Sequence, residues 1–574
     1  MEHDKQNSVT AGGALFGKLK ALGVDYVFAN SGTDFPPIIE GLIAARNHGI
    51  AMPQAITIPH EHVAIGMAHG YFQISGKCQA VMLHTNVGLS NAATGAINAA
   101  CDQIPMFLMS GRTPVTEAGR FGARTVPIGW GQEMYDQTSM VREATKWDYE
   151  LRYPEQVAPA LDRGWSIANS TPKGPVYLSL PREVLCEECP ANGLDKPSPM
   201  APASMAPDRS ALRKAAKLLA NAKNPLIIAQ RGAGTAEAFF ALQSFIEAWA
   251  IPLSHYWANQ ISIPMSSPMH VGWWPDELLK EADVILVINA LAPWWPDRAA
   301  PHADATVIQL GPDPLFARSS PMRTFTSNIT LSGDTETALH ELIEQVNEQK
   351  KPAKIINARR THISAISNHE RQAAREVAER GCASPMSKEW VSHCLGQLIK
   401  GRKCSVFHEL GCPLPALELE DHQSYFQEPH SGGLGWCLPA AMGAQLADPD
   451  RLIFATMGDG SYMFANPTAC HQVCEALELP VIVLVLNNEE WGAVRHSVEG
   501  LYKGGLATKS NDVPLTSLRP SPDFTRTAEA SRAYTETVVD GKELVGALKR
   551  AITVATEERR QVLLNIAIEQ VRMH

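Results

Sequence analysis

The sequence predicts an α/β protein of three doubly wound parallel-sheet domains, and three observations lead there. Short, nearly continuous runs of Val, Ile and Leu recur along the chain with helical stretches between them, as in strands buried on both faces of a sheet. The 574 residues are enough for three or four domains of ordinary size. Two segments interrupt the alternation. Residues 190–207 (PANGLDKPSPMAPASMAP) are rich in Pro, Ala and Ser and read as an extended linker. Residues 350–380 are charged, include HERQAAREVAER and read as a helical connection. The domains expected are thus 1–189, 208–345 and 381–574.

The strands expected in the first domain are Tyr26–Phe28, Ala80–Leu83 and Val176–Leu180. In the second they are Pro225–Ala229, Val284–Ile288 and Thr306–Leu310, and in the third Leu452–Thr456, Val481–Leu486 and Val562–Ile566. No short repeat is visible.

Composition narrows the function classes. A net charge of −10 and a pI near 6.0 argue against a nucleic-acid partner. The N-terminus MEHDKQNSVTAGG has no apolar stretch of signal-peptide type, and the longest apolar runs are strand-length, so no membrane span is expected. Eleven cysteines in no regular framework fit reduced thiols and a cytoplasmic location. Cys186 and Cys189 form one C-x-x-C without further ligands nearby and read as chance surface cysteines.

The most specific signal is in the third stretch. The strand RLIFATM runs into Gly458-Asp459-Gly460-Ser461, and the strand VIVLVL ends at Asn487-Asn488. Glycines let backbone N–H groups approach a diphosphate, and a helix N-terminus favours its charge. A hard cation bridging phosphates wants oxygen ligands, which Asp459 and Asn488 offer at two strand ends. A lone G-D-G is an ordinary turn; the second strand-end motif 29 residues on makes chance a poor account.

Here the sequence resembles the thiamine-diphosphate enzyme superfamily, in the branch of acetolactate synthase, benzoylformate decarboxylase, pyruvate oxidase and benzaldehyde lyase. The family's G-D-G-S … N-N motif stands here as GDGSYMFANPTACHQVCEALELPVIVLVLNN, slightly longer than usual between Asp459 and Asn488. The resemblance implies thiamine diphosphate and Mg²⁺ as cofactors. Asp459, Asn488 and the backbone carbonyl of Glu490 are the implied metal ligands, and Gly458, Gly460 and Ser461 the diphosphate cradle.

Glu61, in IPHEHVAIGMA, opens a helix of small and apolar residues. Alone it reads as a first-turn Glu favoured by the helix dipole. However, HEHVAIGMAHGYFQISGK resembles the family segment carrying the glutamate that activates the cofactor, and a carboxyl of raised pKa in an apolar setting suits that task. Glyoxylate carboligase lacks this Glu. The segment His430-Ser431-Gly432-Gly433-Leu434-Gly435-Trp436 before CLPAAMGAQLA resembles the family's G-G-L-G-F-x-L-P-A-A, which implies backbone contact of Gly432 with the pyrimidine and support of the bent cofactor by Leu434. Its plain reading is a glycine turn before a helix. Gly411 and Cys412, in FHELGCPLP, fall in the family's other diphosphate loop.

On the substrate side, His84 in AVMLHTNVGLSNAATGA matches an active-site histidine of benzoylformate decarboxylase, and imidazole suits proton transfer near neutral pH. The alternative is a helix cap. Thr33, where the family has P-G-S or P-G-G, would hold a substrate carboxylate. Gln137 resembles the glutamine that acetolactate synthase and benzaldehyde lyase place near the reacting centre, and Val494 would line the pocket. Two departures stand out. The second decarboxylase histidine is replaced by Trp294-Trp295-Pro296, and residues 489–496 (EEWGAVRH) lack the acetolactate synthase Trp. Trp273–Trp274 and Trp294–Trp295 are either a substrate wall or core. Arg231-Gly232-Ala233-Gly234 is a weak dinucleotide signal; relatives bind FAD or ADP in this middle domain, and neither is expected here.

The resemblance implies that Glu61 activates the cofactor and that a small-molecule 2-oxo acid loses CO₂. The product is then protonated to an aldehyde or captured by a second carbonyl. Glu61 and Asp459 lie in different domains, and in this family the two halves of a site come from different subunits. A homodimer at least, and a homotetramer with sites at subunit interfaces, is implied. Carboligation like that of acetolactate synthase is the first expectation. Simple decarboxylation is the second, favoured by His84 and opposed by Gln137. A cofactor-binding protein without turnover is the third.

Overall fold

The computed structural model describes residues 8–191 and 193–570. Most of the N-terminal stretch read for a signal segment lies outside them, as does Asn192 of the linker. Among the described residues no helix is long and apolar enough to cross a membrane. The chain packs as two compact units. One comprises residues up to Ser204 together with Pro429–Asp448; the other comprises Met205–Glu428 and the chain from Pro449 onward.

In the first unit the strands are β1 (Ser8–Thr10), β2 (Tyr26–Ala29), β3 (Gln54–Thr57), β4 (Gln79–Leu83), β5 (Met106–Arg112), β6 (Asp148–Glu150), β7 (Val176–Pro181) and β8 (Glu188–Pro190). Six of them form a parallel sheet in the order β3-β2-β4-β5-β7-β6, and β1 pairs antiparallel with β8. The apolar runs make β4 and β7 buried along their whole length, because helices cover both faces. The order steps outward in both directions from the β2–β4 pair, so loops leaving those two strands diverge at a crevice where ligands bind in open α/β sheets.

Two helices of this unit meet at unusually short range. The Glu61–Ser75 helix packs on the Cys437–Ala447 helix. A Cβ at Gly70 would sit 1.8 Å from the Ala440 carbonyl oxygen, and one at Gly443 would sit 1.9 Å from that of Met67. The backbones therefore touch, and any side chain there would push the helices apart. Thus a segment from the third stretch of sequence packs with the first sheet.

In the second unit β9 (Pro225–Ala229), β10 (Leu253–Ser254), β11 (Val284–Ile288), β12 (Thr306–Gly311) and β13 (Ile329–Ser332) form a parallel sheet in the order β10-β9-β11-β12-β13. A further parallel sheet is built from β14 (Cys404–Glu409), β15 (Tyr425–Gln427), β16 (Leu452–Gly458), β17 (Ile482–Asn487), β18 (Tyr534–Val538) and β19 (Val562–Ala567). Its order, β15-β14-β16-β17-β19-β18, repeats that of the first sheet strand for strand, although no repeat is legible in the sequence. The fold is therefore three parallel-sheet α/β domains.

The charged connection is one helix, Ala353–Arg380. Within it Arg359 is buried and donates to the carbonyls of Ala222, Lys223, Trp249 and Ala250. Those carbonyls end the Arg209–Asn221 and Ala236–Trp249 helices, so one guanidinium satisfies two helix C-termini and ties the connection to the middle sheet.

Three sequence readings are refined. The Pro-rich linker is extended but anchored: Leu194 is buried, and the carbonyls of Ala201 and Ala203 accept from Ser166 Oγ and Thr171 N–H. Cys189 is not a surface cysteine. It lies buried in β8 opposite Val9, and burial pushes its thiol up to about 11. Among the tryptophans, Trp294 is core against Phe325, Trp295 is exposed, and Trp274 lies under the Arg298 guanidinium at 4.0 Å.

Candidate active site

The first unit gathers a set of polar side chains at the C-terminal edge of its sheet. Glu61 is the first residue of its helix, which His60 caps by accepting from the His62 N–H. Its side chain is only 8% exposed. Carboxylate Oε2 accepts from Asn91 Nδ2 at 3.0 Å, and Oε1 lies against Gly88. Gly88 and Asn91 are one turn apart on the Thr85–Cys101 helix, so that helix presents a floor and a donor to the carboxylate.

His84 directly follows β4, at the N-cap of the Thr85–Cys101 helix, yet its side chain makes no capping bond. Instead Nδ1 lies 2.5 Å from Asp34 Oδ1, and Nε2 lies 3.1 Å from Gln132 Nε2. Asp34 is buried and its Oδ2 accepts from the Thr85 N–H at 3.3 Å. The Asp34 carboxylate raises the His84 pKa above the ordinary imidazole value, with burial acting against it. The nearby Glu61 charge adds to the rise.

The remaining predicted residues of this unit lie apart from that cluster or at its edge. Thr33 is exposed, and its carbonyl accepts from Arg182 Nη1. Gln137 is 2% exposed, and its amide nitrogen donates to Ser110 Oγ, the Gly111 carbonyl and Tyr177 OH beneath the sheet edge. Gly432 takes a left-handed φ of 68° and is exposed, with open space where a side chain would project. Gly433 instead packs on the Thr94 and Asn98 side chains, and its carbonyl accepts from Asn98 Nδ2. Leu434 is half-buried.

Asp34, Gln132 and Asn91 were missed in the sequence. Asp34 directly follows Thr33 at the end of β2, and the adjoining positions of β2 and β4 bring it to His84. A carboxylate in the turn beside the candidate Thr33 was the available signal. Gln132 lies in an irregular segment where no periodicity points.

The second unit gathers its own set of predicted residues in the same topological place, at the ends of β14 and β16. Gly411 packs so closely on Thr456 that a Cβ would lie 2.4 Å from its carbonyl carbon. The Cys412 N–H donates to Thr456 Oγ1, and burial pushes the Cys412 thiol up to about 12, which leaves it unreactive. Gly458 caps the short Asp459–Phe464 helix, in whose first turn Asp459, Gly460 and Ser461 are all buried. The Trp491 ring covers Gly460, 2.2 Å from where a Cβ would stand. Asn488 Oδ1 accepts from the Glu490 N–H at 3.2 Å, and the Glu490 carboxylate pairs with Arg495 at 2.9 Å. Val494 is exposed on the Gly492–Leu501 helix. An open cleft of about 780 Å³ runs past Asn487, Asn488, Glu489, Arg495 and Asn565.

Asp459 tests whether this half suits a cation. Oδ1 accepts from the Gly460 N–H, but the buried Oδ2 has no partner, and burial pushes the carboxyl up to about 6. An uncompensated carboxylate oxygen among backbone groups and an amide oxygen is a hard-cation donor set. The residues fit a divalent ion holding a diphosphate.

Comparison with known proteins agrees. Residues 9–140 match the thiamine pyrophosphate enzyme N-terminal TPP binding domain, 212–342 the central domain and 411–566 the C-terminal TPP binding domain. The chain belongs to the thiamine pyrophosphate enzyme family. It is 27% identical over 544 residues to a probable 2-ketoarginine decarboxylase, AruI, of Pseudomonas aeruginosa, covering 92% of this chain and 89% of the relative. It is 25% identical over 578 residues to the acetolactate synthase isozyme 3 large subunit of Escherichia coli, covering 95% and 92%. The crystal structure of benzoylformate decarboxylase from Polynucleobacter necessarius superposes with a TM-score of 0.77 at 21% identity, covering 98% of this chain and 99% of that one.

Proposed function

We propose that this enzyme decarboxylates a 2-oxo acid and releases the aldehyde. The observation that carries the reading is His84, held by Asp34 and electrostatically coupled to Glu61: a proton donor stationed beside the carboxylate expected to activate the cofactor. Bound thiamine diphosphate supplies the nucleophilic carbon and the electron sink for loss of CO₂. Glu61, buried and steadied by Asn91, presents its carboxyl group to the pyrimidine ring. Gly432 and Leu434 receive that ring. Asp459, Asn488 and the Glu490 carbonyl hold Mg²⁺, while Gly458, Gly460, Ser461 and the Gly411–Cys412 loop hold the diphosphate. Thr33 and Val494 border the substrate, and His84 delivers the proton that completes the aldehyde.

Carboligation is the second reading, and Gln132 is its observation. The glutamine first favoured for that role, Gln137, has its amide nitrogen committed within the core, whereas the Gln132 amide reaches His84. The enzyme works at least as a homodimer in this reading, and as a homotetramer. Large exposed apolar side chains on the first unit, among them Ile39, Ile43, Phe121 and Ile128, support self-association.

The test incubates the protein with thiamine diphosphate and Mg²⁺ on pyruvate, longer aliphatic, guanidino-bearing and aromatic 2-oxo acids, with product chromatography. Aldehyde as main product is expected. A 2-hydroxyketone as main product replaces this reading with carboligation.

A further inference from the structure

We propose that Asp34 is the positioning residue for His84: it keeps a proton on Nδ1 and leaves Nε2 as the single nitrogen that exchanges a proton with substrate. The inference deepens the decarboxylase reading and rests on it.

The chain is cut away around this pair. A Cβ at Gly32 would lie 2.2 Å from His84 Cγ and Nδ1, and one at Gly111 would lie 1.6 Å from Asp34 Oδ2. Both glycines leave the room that the carboxylate and ring occupy. The Thr85 N–H anchors the second carboxylate oxygen, so the short Asp34–His84 contact cannot swing away without losing a buried bond. On the far side of the ring sits Gln132, whose amide nitrogen can only donate, so a neutral Nε2 must accept. Acceptance at Nε2 and a carboxylate at Nδ1 both select the same tautomer.

The charged groups facing the imidazole are Asp34, from the turn after β2, and Glu61, from the helix after β3. Both favour the cation. The step then balances. His84 Nε2–H gives its proton to the substrate carbon that keeps the electron pair of the broken C–CO₂ bond. A C–H bond forms, the imidazole becomes neutral with Nδ1–H still on Asp34, and the Gln132 amide turns to the vacated lone pair. Solvent returns the proton.

The test compares wild type with Asp34→Asn and Asp34→Glu as full-length holoenzymes. The pH profile of His84 acylation by diethyl pyrocarbonate, read by peptide mass spectrometry, reports its ionisation without turnover. In wild type the midpoint lies above the ordinary histidine value. In Asp34→Asn it falls by about one pH unit or more. The rate of aldehyde release falls about 10- to 100-fold with little change in KM, and Asp34→Glu restores part of both. An unchanged His84 midpoint in Asp34→Asn and Asp34→Glu overturns the proposal, because a merely structural Asp34 would not move it. His84→Gln is the separate control: wild-type aldehyde output from that variant overturns the proton-donor reading, while the acylation profile still judges Asp34.

Discussion

Replacing Gly88 by Ala probes the seat of Glu61 without touching the carboxylate. The added methyl would stand 3.1 Å from Glu61 Oε1, 3.4 Å from its Cγ and 3.3 Å from Leu83 Cβ. Leu83 lies in β4 and cannot retreat, so the glutamate must give way. Restoring ordinary contact moves the carboxylate by roughly 0.3–0.5 Å, and with about 1 Å of misplacement costing on the order of 100-fold, the loss is roughly 3- to 10-fold in rate. Gly-to-Ala inside a helix otherwise stabilises by about 0.5–1 kcal/mol, so the melting temperature does not fall. The assay is the rate of hydrogen exchange at the reactive carbon of bound cofactor, with turnover and thermal melting in parallel. Full exchange rate with unchanged turnover would refute the placement of Glu61 as the activating group.

Further predictions concern the candidate cation site and the core. Asp459→Asn keeps the bond from the Gly460 N–H but removes the uncompensated charge, so Mg²⁺ binding by calorimetry weakens at least about 100-fold while the metal-free protein melts no lower. Gln137→Ala removes the donor to the Gly111 carbonyl, while Ser110 Oγ and Tyr177 OH keep their own 2.7 Å bond, and lowers stability to denaturant by about 1–2 kcal/mol. Burial depresses His270 and His471 to about 4 and His408 to about 3, so all three stay neutral in the fold while the unfolded chain binds protons. Stability is full above about pH 6.5 and falls as pH drops toward 4, by about 2 kcal/mol for each histidine at pH 5. Denaturation midpoints at pH 7.5 and 5 check the sign, and equal midpoints would contradict it.

Much of the fold was legible because buried parallel strands announce themselves. The runs at Pro225–Ala229 and Val284–Ile288 became strands with those bounds; Ala80–Leu83 began one residue earlier, Val481–Leu486 moved to Ile482–Asn487, and the rest gained a residue or two at the C-terminal end. Gly458 and Asn487 are such additions, since strand hydrogen bonding continues past the last apolar residue. The motif at Gly458–Ser461 was legible because glycines and a carboxylate at a strand end have few other uses. Asp34 and Gln132 were not, because a partner is defined by which strands adjoin. Gln137 shows the complementary limit. A buried polar side chain committed to core hydrogen bonds has the same letter as one facing a substrate. The charge of residues 350–380 was legible, but not that the Arg359 guanidinium ends two other helices.

The most direct test of the central claim is CO₂ release in a single turnover, with thiamine diphosphate, Mg²⁺ and a panel of 2-oxo acids, comparing wild type with Glu61→Gln. The account predicts stoichiometric CO₂ from at least one acid in wild type and a loss of at least about 100-fold in Glu61→Gln. No CO₂ from any acid, or equal release from both proteins, would contradict it.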